Sequence, residues 1–85
     1  MNKDEFLKQL ETEIKISKLS DYTLRNYLLF NKKLLEHANK LPEQIEQYDI
    51  KVFLADKMSD RASASNILFL SSIRFAYSNI FGKDP

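Results

Sequence analysis

SDYTLRNYLLFNKKLLEHAN, residues 20–39, is a helix with its start and stop signals written into it. Ser20 is a helix cap, and Asp21 puts negative charge in the first turn, where the helix dipole favours it. Leu24, Tyr27, Leu28, Leu34, Leu35 and Ala38 recur at helical spacing and form one apolar stripe. Asn31 interrupts the stripe, while Leu29 and Phe30 widen it, so this helix is expected to be covered on two sides. It should stop near Asn39, because Pro42 disfavours helix at the residue before it.

Working outward, three more helices follow from the same periodicity. Upstream, Phe6, Leu7, Leu10, Ile14 and Ile16 predict a helix from about Lys3 to Ser17, with Asp4 and Glu5 early and Lys15 and Lys18 late. Downstream, residues 40–47 form a connector. A third helix runs from about Gln47 to Ser59, its buried face being Tyr48, Ile50, Phe53, Leu54 and Met58. Asp60 to Ala62 make a short turn. A fourth helix starts at Ser63-Ala64-Ser65-Asn66, with Ser63 or Ser65 as cap. Ile67, Leu70, Ile73, Tyr77 and Ile80 are its expected core stripe. Leu68, Phe69 and Phe75 lie off that stripe and call for another helix or a partner. Gly82 is a natural left-handed stop. Short connections between such helices predict an all-α, compact four-helix bundle.

Composition agrees. The chain has 85 residues, room for one domain, and 44% of them are hydrophobic, enough for a core. One Gly and two Pro argue against a many-turned β fold. With no Cys, disulfide scaffolds, thiolate metal sites and cysteine nucleophiles are excluded, and a reducing cytoplasm suits the chain. The N-terminus is studded with charges and lacks the apolar run of a signal peptide. The longest uncharged stretch, Ala62 to Ile73, is too short and too polar to span a bilayer, so no membrane partner is expected.

The parts of an enzyme are missing from the sequence. His37 is the single histidine, with no second His or Cys to join it at a metal. There is no HExxH, no acidic metal loop and no glycine loop to cradle a phosphate. Tyr27 and Tyr77 fall on apolar stripes, where packing is the ordinary role. No catalytic residue, metal site or cofactor is expected.

Binding has better material. The net charge is +1, but residues 20–40 and 61–85 are mildly basic and residues 41–60 acidic. A nucleic-acid face would use the second and fourth quarters. Both hold a helix start rich in hydroxyl and amide groups next to Arg: Thr23, Arg25 and Asn26 in one, and Arg61, Ser63, Ser65 and Asn66 in the other. Such groups donate to phosphate oxygens, and Asn and Arg also read base edges. For Ser20 and Ser63, simple capping is the better reading.

The same residues carry a family resemblance. Ser20-x-x-Thr23-Leu24-Arg25-Asn26-Tyr27 resembles the S-x-x-T-x-x-x-Y opening of the N-terminal core-binding domains of tyrosine recombinases and phage integrases. Asp49-Ile50-x-x-Phe53-Leu54 is similar to the family's third helix. Ser63-x-Ser65 followed by Leu70-Ser71-Ser72-Ile73-Arg74-Phe75-Ala76-Tyr77 is similar to its fourth. All three occur in order and register from Ser20 onward.

The resemblance implies a SAM-like bundle forming one half of a clamp around double-stranded DNA. The other half is a catalytic domain, which supplies the Arg, Lys and His residues and the tyrosine nucleophile of integration and recombination. It implies a core-binding domain over residues 1–82, the start of an interdomain linker at 83–85, and an excised or naturally truncated chain without the catalytic domain. It points to Thr23, Arg25, Asn26, Ser63, Ser65 and Asn66 as DNA contacts, with Arg61 beside them, and gives Arg74 either an internal salt bridge or DNA. Asn31, Leu68 and Phe69 depart from the family pattern and leave the fourth helix poor in charge. The alternative is a protein-interaction module, with protomer–protomer contacts made through Leu68, Phe69 and Phe75.

Overall fold

A computed structural model describes residues 1–58, 63–83 and 85, the side chain of Ser63 excepted. The elements are α1 (Lys3–Ile16), α2 (Asp21–Ala38), a short 3-10 turn (Pro42–Gln44), α3 (Gln47–Lys57) and α4 (Ser63–Phe81), with no strand among the described residues. The expected all-α four-helix bundle is therefore the observed fold. The expected turn at Asp60 to Ala62 lies outside the described residues, as does Ser59.

The helix ends are fixed by local chemistry. Asn2 and Glu5 exchange hydrogen bonds at the start of α1: the Glu5 amide donates to Asn2 Oδ1 (2.8 Å) and the Asn2 amide to Glu5 Oε1 (3.1 Å). Ser20 caps α2 by accepting from the Thr23 amide at 3.1 Å. Asn39 (φ 53°) and Gly82 (φ 74°) take the left-handed conformation that closes α2 and α4. Lys18 (φ 57°) turns the chain between α1 and α2, a bend without a glycine to announce it.

At α3 the cap is Asp49, whose Oδ2 accepts from the Glu46 amide (2.8 Å) and from Lys40 Nζ (3.0 Å). Burial pushes this carboxyl up, but the Glu46 amide and Lys40 outweigh burial and hold it below its usual value. A depressed folded-state pKa stabilises fully above the unfolded value of about 3.9 and is lost as pH falls through the folded one. Asp49→Asn is therefore expected to cost about 1 kcal/mol at neutral pH and to flatten the loss of stability below about pH 4. Urea unfolding followed by circular dichroism across pH checks this. Parallel curves for the two proteins would contradict it.

The core is built from Phe6, Leu10 and Ile14 of α1, Leu34 and Leu35 of α2, Ile50 and Phe53 of α3, and Phe69, Ile73, Ala76 and Tyr77 of α4. Burying each large apolar side chain contributes on the order of 1.5–3 kcal/mol. Helix α2 packs against α1, α3 and α4, as its wide apolar surface predicts. Rings organise the interior. Phe69 stacks on Phe53 (centroids 4.9 Å apart, 19° between planes) and meets Phe30 edge-on (5.6 Å). Phe6 lies against Tyr77 and Phe81. Tyr77 Oη donates to the Pro42 carbonyl at 2.7 Å, tying the 3-10 turn to α4; burial, with the charges of Glu43 and Asp49 behind it, drives the phenol pKa far upward.

The buried face of α4 differs from the expected one. Ile67 and Leu70 are exposed, while Phe69, Ser72, Ile73, Ala76 and Tyr77 are buried. Positions 69, 72, 73, 76 and 77 are a regular helical stripe that happens to contain a serine. Ser72 is tolerated because its hydroxyl donates back to the Phe69 carbonyl at 2.6 Å. Phe69 is fully buried, and Leu68 and Phe75 are half-buried, so of the alternatives for these three, packing on other helices is the one observed for Phe69 and Phe75. Phe75 packs its ring on Tyr27 (5.6 Å). Ile16 and Tyr48 are also exposed: Ile16 ends α1 beyond its contacts, and Tyr48 sits in the first turn of α3, pointing to solvent.

Candidate nucleic-acid interface

A cleft of about 690 Å3 opens between α2, α3 and α4. Along α2 it is lined by Tyr22, Asn26, Leu29, Phe30, Lys33 and His37; steps of three or four residues, with Leu29 and Phe30 side by side, keep them on one helix face. Phe53 and Lys57 of α3 form the second wall, and Ser65 and Leu68 of α4 the third. The two helix starts singled out by the sequence thus meet: Asn26 and Ser65 line one depression.

The other expected contacts are distributed differently. Thr23 is half-buried and its Oγ1 accepts from Ser20 Oγ at 3.0 Å, so it belongs to the cap. Arg25 lies one step round the helix, in a shallow depression shared with Leu7, Lys8, Glu11 and Lys32 between α1 and α2. Asn66 is half-buried, with Oδ1 shielded from solvent and without a partner, and it does not line the cleft. Ser63 opens α4, but its side chain, like all of Arg61, lies outside the described residues. Ser65 is the third residue of α4 and not its cap. Arg74 is exposed and makes no salt bridge among the described residues; with Lys51, Leu54 and Leu70 it borders a separate groove between α3 and α4.

The charges around the cleft are arranged so that cations remain available. Glu36 on its wall is bound by Lys3 Nζ at 3.0 Å, and that bond holds its carboxyl below its usual value. Asp56 Oδ2 lies 2.9 Å from His37 Nε2, and this contact likewise keeps the Asp56 carboxyl low. Lys33 and Lys57 line the cleft and enter no salt bridge among the described residues, although the charge of Lys57 also acts on Asp56. Lys33, Lys57 and Tyr22 were not among the sequence-based candidates. Projecting Asn26 along its own helix face, four residues back and seven on, would have found Tyr22 and Lys33.

No group of three or more His, Cys, Asp or Glu residues that could hold a metal ion occurs among the described residues. Nor is any described helix long and apolar enough to cross a membrane.

The family model for the phage integrase N-terminal SAM-like domain matches residues 6–84. The chain belongs to this family. No curated protein and no solved structure gives a significant match. Membership gives this SAM-like domain a role within a tyrosine recombinase or integrase. The residues that carried the resemblance turn out to hold the integrase domain together. Ser20 and Asp49 cap helices, Tyr27 packs on Phe75, Phe53 stacks on Phe69, and Tyr77 anchors Pro42. Recognition of the family therefore rests on its scaffold, whereas the cleft is lined largely by other side chains.

Proposed function

We propose that this integrase N-terminal domain binds double-stranded DNA through the α2–α3–α4 cleft, as one half of a clamp in DNA integration or recombination. The observation that carries this reading is the meeting of Asn26 and Ser65 in one depression with Lys33 and Lys57. Lys33 and Lys57 supply the electrostatic attraction to phosphates, and the amide and hydroxyl groups fix the backbone by hydrogen bonds. The parent recombinase's catalytic domain, outside residues 1–82, closes the other side and does the chemistry, and residues 83–85 begin the linker toward it. The domain by itself is non-catalytic and works in the cytoplasm, where the DNA is. Membership in a family of integrase N-terminal domains supports the reading of a part that works beside a separate catalytic domain. A separate protein-interaction patch through Leu68, Phe69 and Phe75 has no support once Phe69 is buried.

With Lys33 and Lys57 as the lysines that line the cleft among the described residues, affinity is modest and its logarithm falls with that of salt concentration at a slope of about −2. Titration with duplex DNA at low salt is expected to move the amide resonances of Asn26, Lys33, Lys57 and Ser65. Lys33→Ala is expected to weaken binding on all sequences alike and to reduce the salt slope by about 1. Shifts confined to the Lys51–Arg74 groove, or an unchanged salt slope in the variant, would overturn the assignment.

A further inference from the structure

Phosphate contacts account for only part of this cleft. Tyr22 is 61% exposed and Leu29 45% exposed, although both line it. An intact duplex presents phosphates and groove edges, and keeps the faces of its bases stacked inside. It offers an exposed phenol ring and two leucines (Leu29 and Leu68) nothing flat and apolar to cover. Asn26 is also half spent: Nδ2 donates one hydrogen to the Tyr22 carbonyl at 2.8 Å, which fixes the side chain beside Tyr22. Its second N–H and its Oδ1 have no protein partner among the described residues. An aromatic face, apolar side chains, a free amide edge and flanking lysines are the set of groups that holds an unstacked nucleotide.

Resting on the DNA reading above, we infer that the cleft seats a single unstacked base of single-stranded or locally opened DNA. Its ring lies on Tyr22, its edge bonds Asn26, and its phosphates reach Lys33 and Lys57. Stacking of this kind is sequence-tolerant, because every base has a face to offer. The domain would then have two modes on one surface: phosphates of a closed duplex held by the lysines with Asn26 and Ser65, and an opened strand held by these groups and the Tyr22 ring together.

Fluorescence anisotropy at low salt separates these modes, using a labelled oligothymidine and a labelled duplex of mixed sequence. The wild-type domain is expected to bind both. Tyr22→Ala should lose roughly tenfold or more on oligothymidine and nothing on duplex, and Tyr22→Phe should keep the wild-type affinity for both. The exposed position of Tyr22 leaves the core intact, which circular dichroism of the variants verifies. Duplex binding without oligothymidine binding would overturn the base seat and leave the clamp reading standing. So would equal losses on both probes in Tyr22→Ala, or no loss on either. Binding of neither probe by the wild type would remove both proposals.

Discussion

Phe69→Ala is expected to lower the free energy of unfolding by about 3–5 kcal/mol, the largest effect of any single truncation in this domain. Phe69 has no solvent exposure and sits between the rings of Phe53 and Phe30, so it joins α4 to both α3 and α2. Shortening it removes the transfer energy of a whole ring and leaves a cavity that two flanking aromatics cannot readily close. For a domain of this size the total stability is about 4–13 kcal/mol, so the variant would be partly unfolded at physiological temperature. Ile67→Ala, two residues earlier on the exposed face, should change stability by no more than about 0.5 kcal/mol. Urea unfolding of the two variants tests the helix register directly. A milder effect at Phe69 than at Ile67 would mean that α4 presents its other face to the core.

The second large effect is expected at Asn31. This side chain is 1% exposed, and Nδ2 donates to the carbonyl of Tyr27 at 2.9 Å and to that of Ser72, across on α4, at 3.2 Å. Its own Oδ1 is buried without a partner. Asn31→Asp would set a carboxylate against two carbonyl oxygens in a dry site, at a cost of about 3 kcal/mol or more at neutral pH. Burial raises the pKa of the introduced acid in the folded state. The variant is therefore closest to the wild type at low pH and falls behind as pH rises from about 4 toward neutrality. Asn31→Leu branches at the same carbon and removes the unpartnered oxygen. Both backbone carbonyls lie inside helices, where the amide four residues on serves them, so this change should stay within about 1.5 kcal/mol of the wild type. Thermal unfolding of both variants at two pH values is the measurement. Equal destabilisation by Asp and Leu would show that shape, and not polarity, governs the site.

These two residues also mark how far the sequence could be read. Helix ends at Ser20, Asn39 and Gly82 were legible because capping depends on one side chain or one backbone angle. The stripe on α2 was legible because its apolar residues outnumber alternatives. On α4 nearly every position is apolar or small, so periodicity could be drawn through Ile67 and Leu70 as easily as through Phe69 and Ile73. The decision fell to Ser72 and Ala76, whose small size admits α2 closely, and to Ser72's private hydrogen bond to its own helix. Asn31 read as an interruption and is a cross-helix tie. At the candidate site, Asn26 and Ser65 were found because helix starts advertise free donors. Tyr22, Lys33 and Lys57 were missed because a cleft wall is assembled from three helices, and no one segment shows which of its side chains come to share it.

The bond from Tyr77 to Pro42 has a mechanical meaning. Helix α4 is 19 residues long, a rod of about 28 Å. One end carries Ser65 and Leu68 into the cleft, and near the other Tyr77 grips the turn that leads directly into α3, the facing wall. Both jaws thus hang on the same rod. A push or twist applied at the Phe81 end is transmitted to α3 through one buried phenol and to α4's first turn through the rod itself. Whatever takes hold of that end would therefore bear on both walls of the cleft at once.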